Sequence, residues 1–232
     1  QYGALVHDEE KLNQDDFKKN GTNWLKTYSG SYAMTSLMGK MISLALNKFA
    51  SLDAYGMGVE MEGGKPGWND AMNGLPGLFG SGMSETFELK RLISFICNTV
   101  TGEEKLVLPR EIFDYLINVY KVLQNSVSEG WDDFTYWDRV SDIREKFRDQ
   151  VRFMVSGKEI MVDTNKLQVI FRDFNIKLDK GIAKACEYGK GIVPTYFTFE
   201  ATDYEPVLDD AGNPEYSHYG NPKVIVKAFD VS

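Results

Sequence analysis

The chain has 232 residues, 43% of them hydrophobic and 13% aromatic, enough to bury a sizeable core in one domain or one large piece of one. Against 26 basic residues stand 34 acidic ones, a net charge of −8 with no basic run, which excludes a nucleic-acid or anionic-membrane surface and favours small neutral or weakly charged partners. No run of about 18 apolar residues and no signal peptide is visible, and Cys97 and Cys186 lack neighbours at metal-ligand spacing, so the chain reads as a soluble cytoplasmic protein with two buried reduced thiols.

In chain order, residues 1–31 are mixed and polar, with Trp24 as the one strong anchor and an unusual Gln1 start that suggests a processed or excised chain. Met34, Leu37, Met38, Met41, Ile42, Ala45 and Phe49 recur at steps of three and four, predicting an amphipathic helix over about 31–51. A second helix is predicted from Ser84 as N-cap, with Leu89, Leu92, Ile93, Ile96, Cys97 and Val100 on one face. A third follows Pro109, with Leu116, Val119 and Leu123 inward. The fourth, expected to be the longest, covers about 132–156 and stops at Gly157; the fifth, about 166–188, is broken near Gly181. From Gly191 the period changes to two: Phe197, Phe199 and Ala201 predict one strand and Val224 to Ala228 a second, with turn chemistry at Asp209-Asp210-Ala211-Gly212-Asn213-Pro214 between them.

Nine of the 21 glycines fall between Gly56 and Gly82, interleaved with Trp68, Met72, Leu75, Leu78 and Phe79. A tether would be polar and Gly/Ser-rich, whereas these apolar side chains seek burial, so the stretch reads as a shaped loop with Asp70 at its centre. Such a loop suits a pocket wall. It equally suits a structural role, with Trp68 plugging a core, Asp70 capping a short helix and Asn73-Gly74 making a turn.

Lys65-Pro66-Gly67-Trp68-Asn69-Asp70-Ala71-Met72-Asn73-Gly74-Leu75-Pro76-Gly77-Leu78-Phe79-Gly80-Ser81, followed by Met83-Ser84-Glu85-Thr86, resembles the catalytic loop of glycoside hydrolase family 94, most closely the cellobiose phosphorylase-like branch that includes 1,2-β-oligoglucan phosphorylases. Tyr2-Gly3-Ala4-Leu5-Val6-His7-Asp8 and Asn20-Gly21-Thr22-Asn23-Trp24 extend the likeness upstream. The resemblance implies a mainly α fold, part of an (α/α)6 toroid of helical hairpins. Residues 1–190 would form a partial catalytic domain with the acid loop at 60–83, and residues 191–232 a β-hairpin-like excursion of the same domain. A whole toroid needs on the order of 300 residues, so the chain is expected to be a fragment of a larger enzyme, itself inactive.

The family's general acid lies in a Trp-Asn-Asp motif, which assigns that role to Asp70. Gly67 stands where many members carry another Asp, a departure shared with the oligoglucan branch that leaves the linkage open. The implied reaction is inverting phosphorolysis of a β-linked gluco-oligosaccharide, giving α-glucose 1-phosphate with inorganic phosphate as co-substrate and no cofactor or metal. Phosphate is already anionic, so one carboxylate suffices, whereas hydrolysis needs a second as base. A free Asp titrates near about 3.9, so Asp70 needs a site that disfavours its anion, such as burial beside Trp68. Trp68 could instead offer its ring to a sugar face, and Asn69 and Asn73 could hydrogen-bond sugar hydroxyls. Partners are then the oligosaccharide, phosphate and the rest of the parent polypeptide, with a homodimer left open. The competing readings are an inverting hydrolase of the same architecture, with Glu60, Glu62 or Glu85 as base, and a non-catalytic carbohydrate-binding helical module.

Overall fold

A computed structural model describes residues 24–61, 80–100, 105–217 and 220–231. Five helices run through them: α1 (Leu37–Phe49), α2 (Met83–Thr99), α3 (Arg110–Glu129), α4 (Asp133–Val151) and α5 (Thr164–Tyr188). The strands are β1 (Lys26–Thr27), β2 (Val59–Glu60), β3 (Gly80–Gly82), β4 (Lys105–Pro109), β5 (Met154–Val155), β6 (Glu159–Asp163), β7 (Tyr196–Pro206) and β8 (Val224–Val231).

The predicted stripes locate the core. Ile42, Ala45 and Phe49 of α1, Leu89, Ile93 and Ile96 of α2, and Leu116, Val119 and Leu123 of α3 are buried against Leu167, Phe171, Phe174 and Leu178 of α5. Phe49 and Phe174 stack with ring centroids 4.0 Å apart. Each of the larger of these side chains, the Val, Leu, Ile and Phe, contributes about 1.5 to 3 kcal/mol of transfer free energy. Met34 and Leu37, by contrast, are exposed, because α1 starts only at Leu37 with the Ser36 hydroxyl accepting from Gly39 N. Trp24 is also exposed, packed edge-on against Tyr32.

Other boundaries shift for identifiable reasons. α2 begins at Met83 behind Gly82, not at a Ser84 cap, because Gly82 is still paired in β3. α4 ends at Val151, since Met154 and Val155 leave it to pair in parallel with Lys26 and Thr27. The longest helix is α5, 25 residues without a break. Gly181 does not interrupt it: a Cβ there would lie 2.0 Å from the Gly56 carbonyl oxygen, so the glycine lets the 53–58 loop rest on the helix.

The expected mainly α toroid is overturned. Helix accounts for 51% and strand for 24% of the described residues, and the strands are not confined to a C-terminal excursion. β2, β3, β7 and β8 form one curled antiparallel sheet in that order, and β4 pairs with β6 between helices. The strands after Gly191 therefore do not leave a helical body: Ser81 of β3 faces Phe197 of β7 in register. Pattern at 3.6 residues is conspicuous in long helices, whereas β2 and β3 are two and three residues long, too short to show a period, and β3 is mostly glycine. A second, smaller core under this sheet joins Met57, Met83 and Ala185 to Phe197, Phe199 and Phe229.

Candidate functional site

The sequence-predicted site residues Trp68, Asn69, Asp70 and Asn73 fall within 62–79, as do Glu62, Lys65 and Gly67, and these together with His7 and His218 lie outside the described residues. What the structure describes is the frame at either end of that segment. β2 precedes it and β3 follows it, and the two pair antiparallel, Val59 opposite Gly82 and Glu60 opposite Ser81. Met61 N donates to Gly80 O at 2.9 Å, so the residues entering and leaving the motif are bonded to one another.

One buried carboxylate organises this frame. Asp53, 2% exposed, accepts at Oδ1 from the N–H groups of Tyr55 (3.0 Å) and Met57 (2.9 Å), and at Oδ2 from Gly58 N and Ser81 Oγ, both 2.7 Å. The turn that follows Asp53 is thereby wrapped around its side chain and tied to β3. Gly58 is required by packing, since a Cβ there would sit 2.3 Å from Ser81 Oγ. Burial pushes the Asp53 carboxyl up from its ordinary value, against the pull of its four donors. Thr86 of α2 adds a bond from Oγ1 to Met57 O at 3.0 Å.

A second network holds β2. Glu60 accepts from Trp137 Nε1 at 2.6 Å through Oε1 and from Arg144 Nη1 at 2.7 Å through Oε2. Arg144 also donates to Ala50 O (3.0 Å) and Glu145 Oε1 (2.9 Å). Burial raises the Glu60 carboxyl above its usual range, opposed by Arg144 and Trp137. Burial works against the Arg144 charge too, but Glu60 and Glu145 outweigh it and hold the guanidinium firmly protonated.

These bonds bear on two of the three carboxylates considered as a hydrolytic base, Glu62 lying outside the described residues. Glu60 has both oxygens engaged, and Glu85 is a surface residue paired with Lys48 at 2.9 Å. Arg91 is a surface residue paired with Glu88. Cys97 and Cys186 are both unoxidised and half-buried, less enclosed than expected. Among the described residues no cluster of His, Cys, Asp or Glu is placed to hold a metal ion, and no helix is long and apolar enough to cross a membrane.

Asp53, Ser81, Trp137 and Arg144 were not singled out from the sequence. Arg144 left a signal: it lies four residues after Val140 and three before Phe147, a charged residue on the buried face of α4. Asp53 left none beyond a turn-forming residue ahead of Gly56 and Gly58. No protein-family model matches the chain, and no curated protein matches its sequence.

Proposed function

We propose that this chain carries the acid-bearing part of an inverting glycoside phosphorylase acting on a β-linked gluco-oligosaccharide, with Asp70 as general acid and a cytoplasmic location. The observation that supports this reading most is the frame around the Gly67-to-Gly80 motif. A segment with the composition of a pocket wall is clasped at both ends by paired strands, and each strand is pinned by its own buried carboxylate, β3 by Asp53 and β2 by Glu60. Catalytic groups need such rigid support, because small displacements of a reacting group cost large factors in rate.

In the proposed reaction Asp70 gives its proton to the glycosidic oxygen as the bond from that oxygen to the anomeric carbon breaks. A phosphate oxygen attacks the same carbon from the opposite face, leaving α-glucose 1-phosphate and a shortened oligosaccharide. Asp70 regains its proton from solvent. Trp68, Asn69 and Asn73 are the proposed sugar contacts. The engagement of both Glu60 oxygens, and the surface pairing of Glu85, weigh against these two as the base of a hydrolase, and leave Glu62 as the base that reading would need.

The test is to incubate the intact natural protein with β-linked gluco-oligosaccharides of defined linkage, with and without inorganic phosphate. The reading predicts α-glucose 1-phosphate only when phosphate is present. Free glucose released without phosphate would establish the hydrolase instead, and saturable binding with no turnover would establish the binding module.

A further inference from the structure

A cavity of about 730 Å³ lies away from the motif frame, between the turn after β1, the polar face of α1 and the start of α3. That is within the size range of small-molecule sites, roughly 300 to 1,000 Å³. Its wall is rich in hydroxyls, among them Thr27, Ser31, Thr35 and Ser43, with the Asn47 amide and the half-exposed Tyr32 ring beside them. Its charged side chains are Lys40, Lys158, Glu111 and Glu159, which sum to zero.

Glu111 makes this cavity unlike an ordinary surface hollow. It is 4% exposed; Oε1 accepts from Ser156 N at 2.7 Å, while Oε2 is buried with no hydrogen-bond partner. By contrast the buried Asp53 and the largely buried Glu60 have both oxygens engaged. Burial raises the Glu111 carboxyl, but its bonds to Ser156 outweigh that and hold it below the ordinary carboxylate range, so it is ionised at neutral pH. An ionised buried oxygen without a donor is costly, and native folds rarely leave one. Among the described residues neither Lys40 nor Lys158 forms an ion pair, and Lys158 and Glu159 are exposed, so the wall beside Glu111 is free to yield.

We propose that this cavity is a binding site for a neutral polyhydroxylated ligand, a sugar unit or short oligosaccharide, with one ligand hydroxyl donating to Glu111 Oε2 and others meeting Asn47 and the Lys40 ammonium. The zero charge sum disfavours a strongly charged ligand, and hydroxyls and amides both donate and accept as sugar hydroxyls do. The site does not depend on the phosphorylase reading.

The test is ligand binding to the full chain by calorimetry and ligand-observed NMR. The probes are cellobiose and maltose at about millimolar concentration, with glucose 6-phosphate as the charged comparison. Wild type is expected to bind a neutral sugar. Glu111→Gln should weaken it about ten- to a hundredfold, the loss of a charge-assisted hydrogen bond. Asn47→Ala, at the half-buried rim, should weaken it severalfold in a protein that still folds. The inference is overturned if wild type binds no neutral sugar, if folded Glu111→Gln and Asn47→Ala bind like wild type, or if glucose 6-phosphate binds more tightly than the neutral sugars. Binding lost in Asp70→Asn alone would place the sugar at the motif, overturning this inference while leaving the phosphorylase reading intact.

Discussion

The Glu60 carboxylate and the Arg144 guanidinium meet at 2.7 Å with each side chain only 11% exposed, joining the strand before the motif to the middle of α4. Removing one partner strands the other's charge. Arg144→Ala should therefore destabilise the protein by about 3 to 5 kcal/mol, and Glu60→Gln, which keeps an acceptor for Trp137, by appreciably less. Replacing both by apolar residues, Glu60→Leu with Arg144→Met, should recover much of the loss. Urea denaturation of the four proteins checks this order, and a double variant no more stable than Arg144→Ala would show that the pair is not a unit.

Gly181 and Gly130 separate packing from backbone conformation. A Cβ at Gly181 meets the Gly56 carbonyl oxygen at 2.0 Å, backbone that cannot swing aside, so Gly181→Ala should cost about 1 to 3 kcal/mol by overpacking. Gly130 ends α3 at φ +67° with open space around it, so Gly130→Ala should cost about 1 kcal/mol from conformation alone. The Gly181 variant should also disturb the loop around Asp53, visible as faster amide exchange at Met57 and Gly58; unchanged exchange there would contradict the contact.

Asp133 supplies a pH dependence with a definite sign. Burial works to raise its carboxyl, but Lys177 and Lys184, each 2.7 Å away, hold it below the ordinary value. A depressed folded pKa contributes stability that is present above the unfolded value of about 3.9 and disappears as pH falls through the folded one. The Tm of wild type should accordingly exceed that of Asp133→Asn near neutral pH, and the gap should close as pH drops below 4. Because Asp133 is 35% exposed, solvent and salt screen the effect and the gap should be modest. A gap that widens on acidification would reverse the assignment.

Much of the helical core was legible because Ile42, Ile93, Leu116 and Val119 repeat at helical spacing over several turns. The sheet was only half legible. Phe197 and Phe199 announce β7 by alternation, but its partner β3 is Gly80-Ser81-Gly82, whose identity as a strand depends on what it pairs with. The break expected at Gly181 followed from propensity, which tertiary contact with Gly56 overrode. The frame residues escaped notice for a related reason. Asp53 and Ser81 lie 28 positions apart and act only once the chain has brought them together.

The most direct measurement is phosphate release from glucose 1-phosphate in the intact natural protein, with β-linked gluco-oligosaccharide acceptors, comparing wild type with Asp70→Asn. The proposed acid predicts release with one class of acceptor and a loss of roughly two or more orders of magnitude in the variant, whose amide has no proton to give the glycosidic oxygen. Equal rates in the two proteins would remove Asp70 from the chemistry. No release by wild type with any acceptor would contradict the phosphorylase itself.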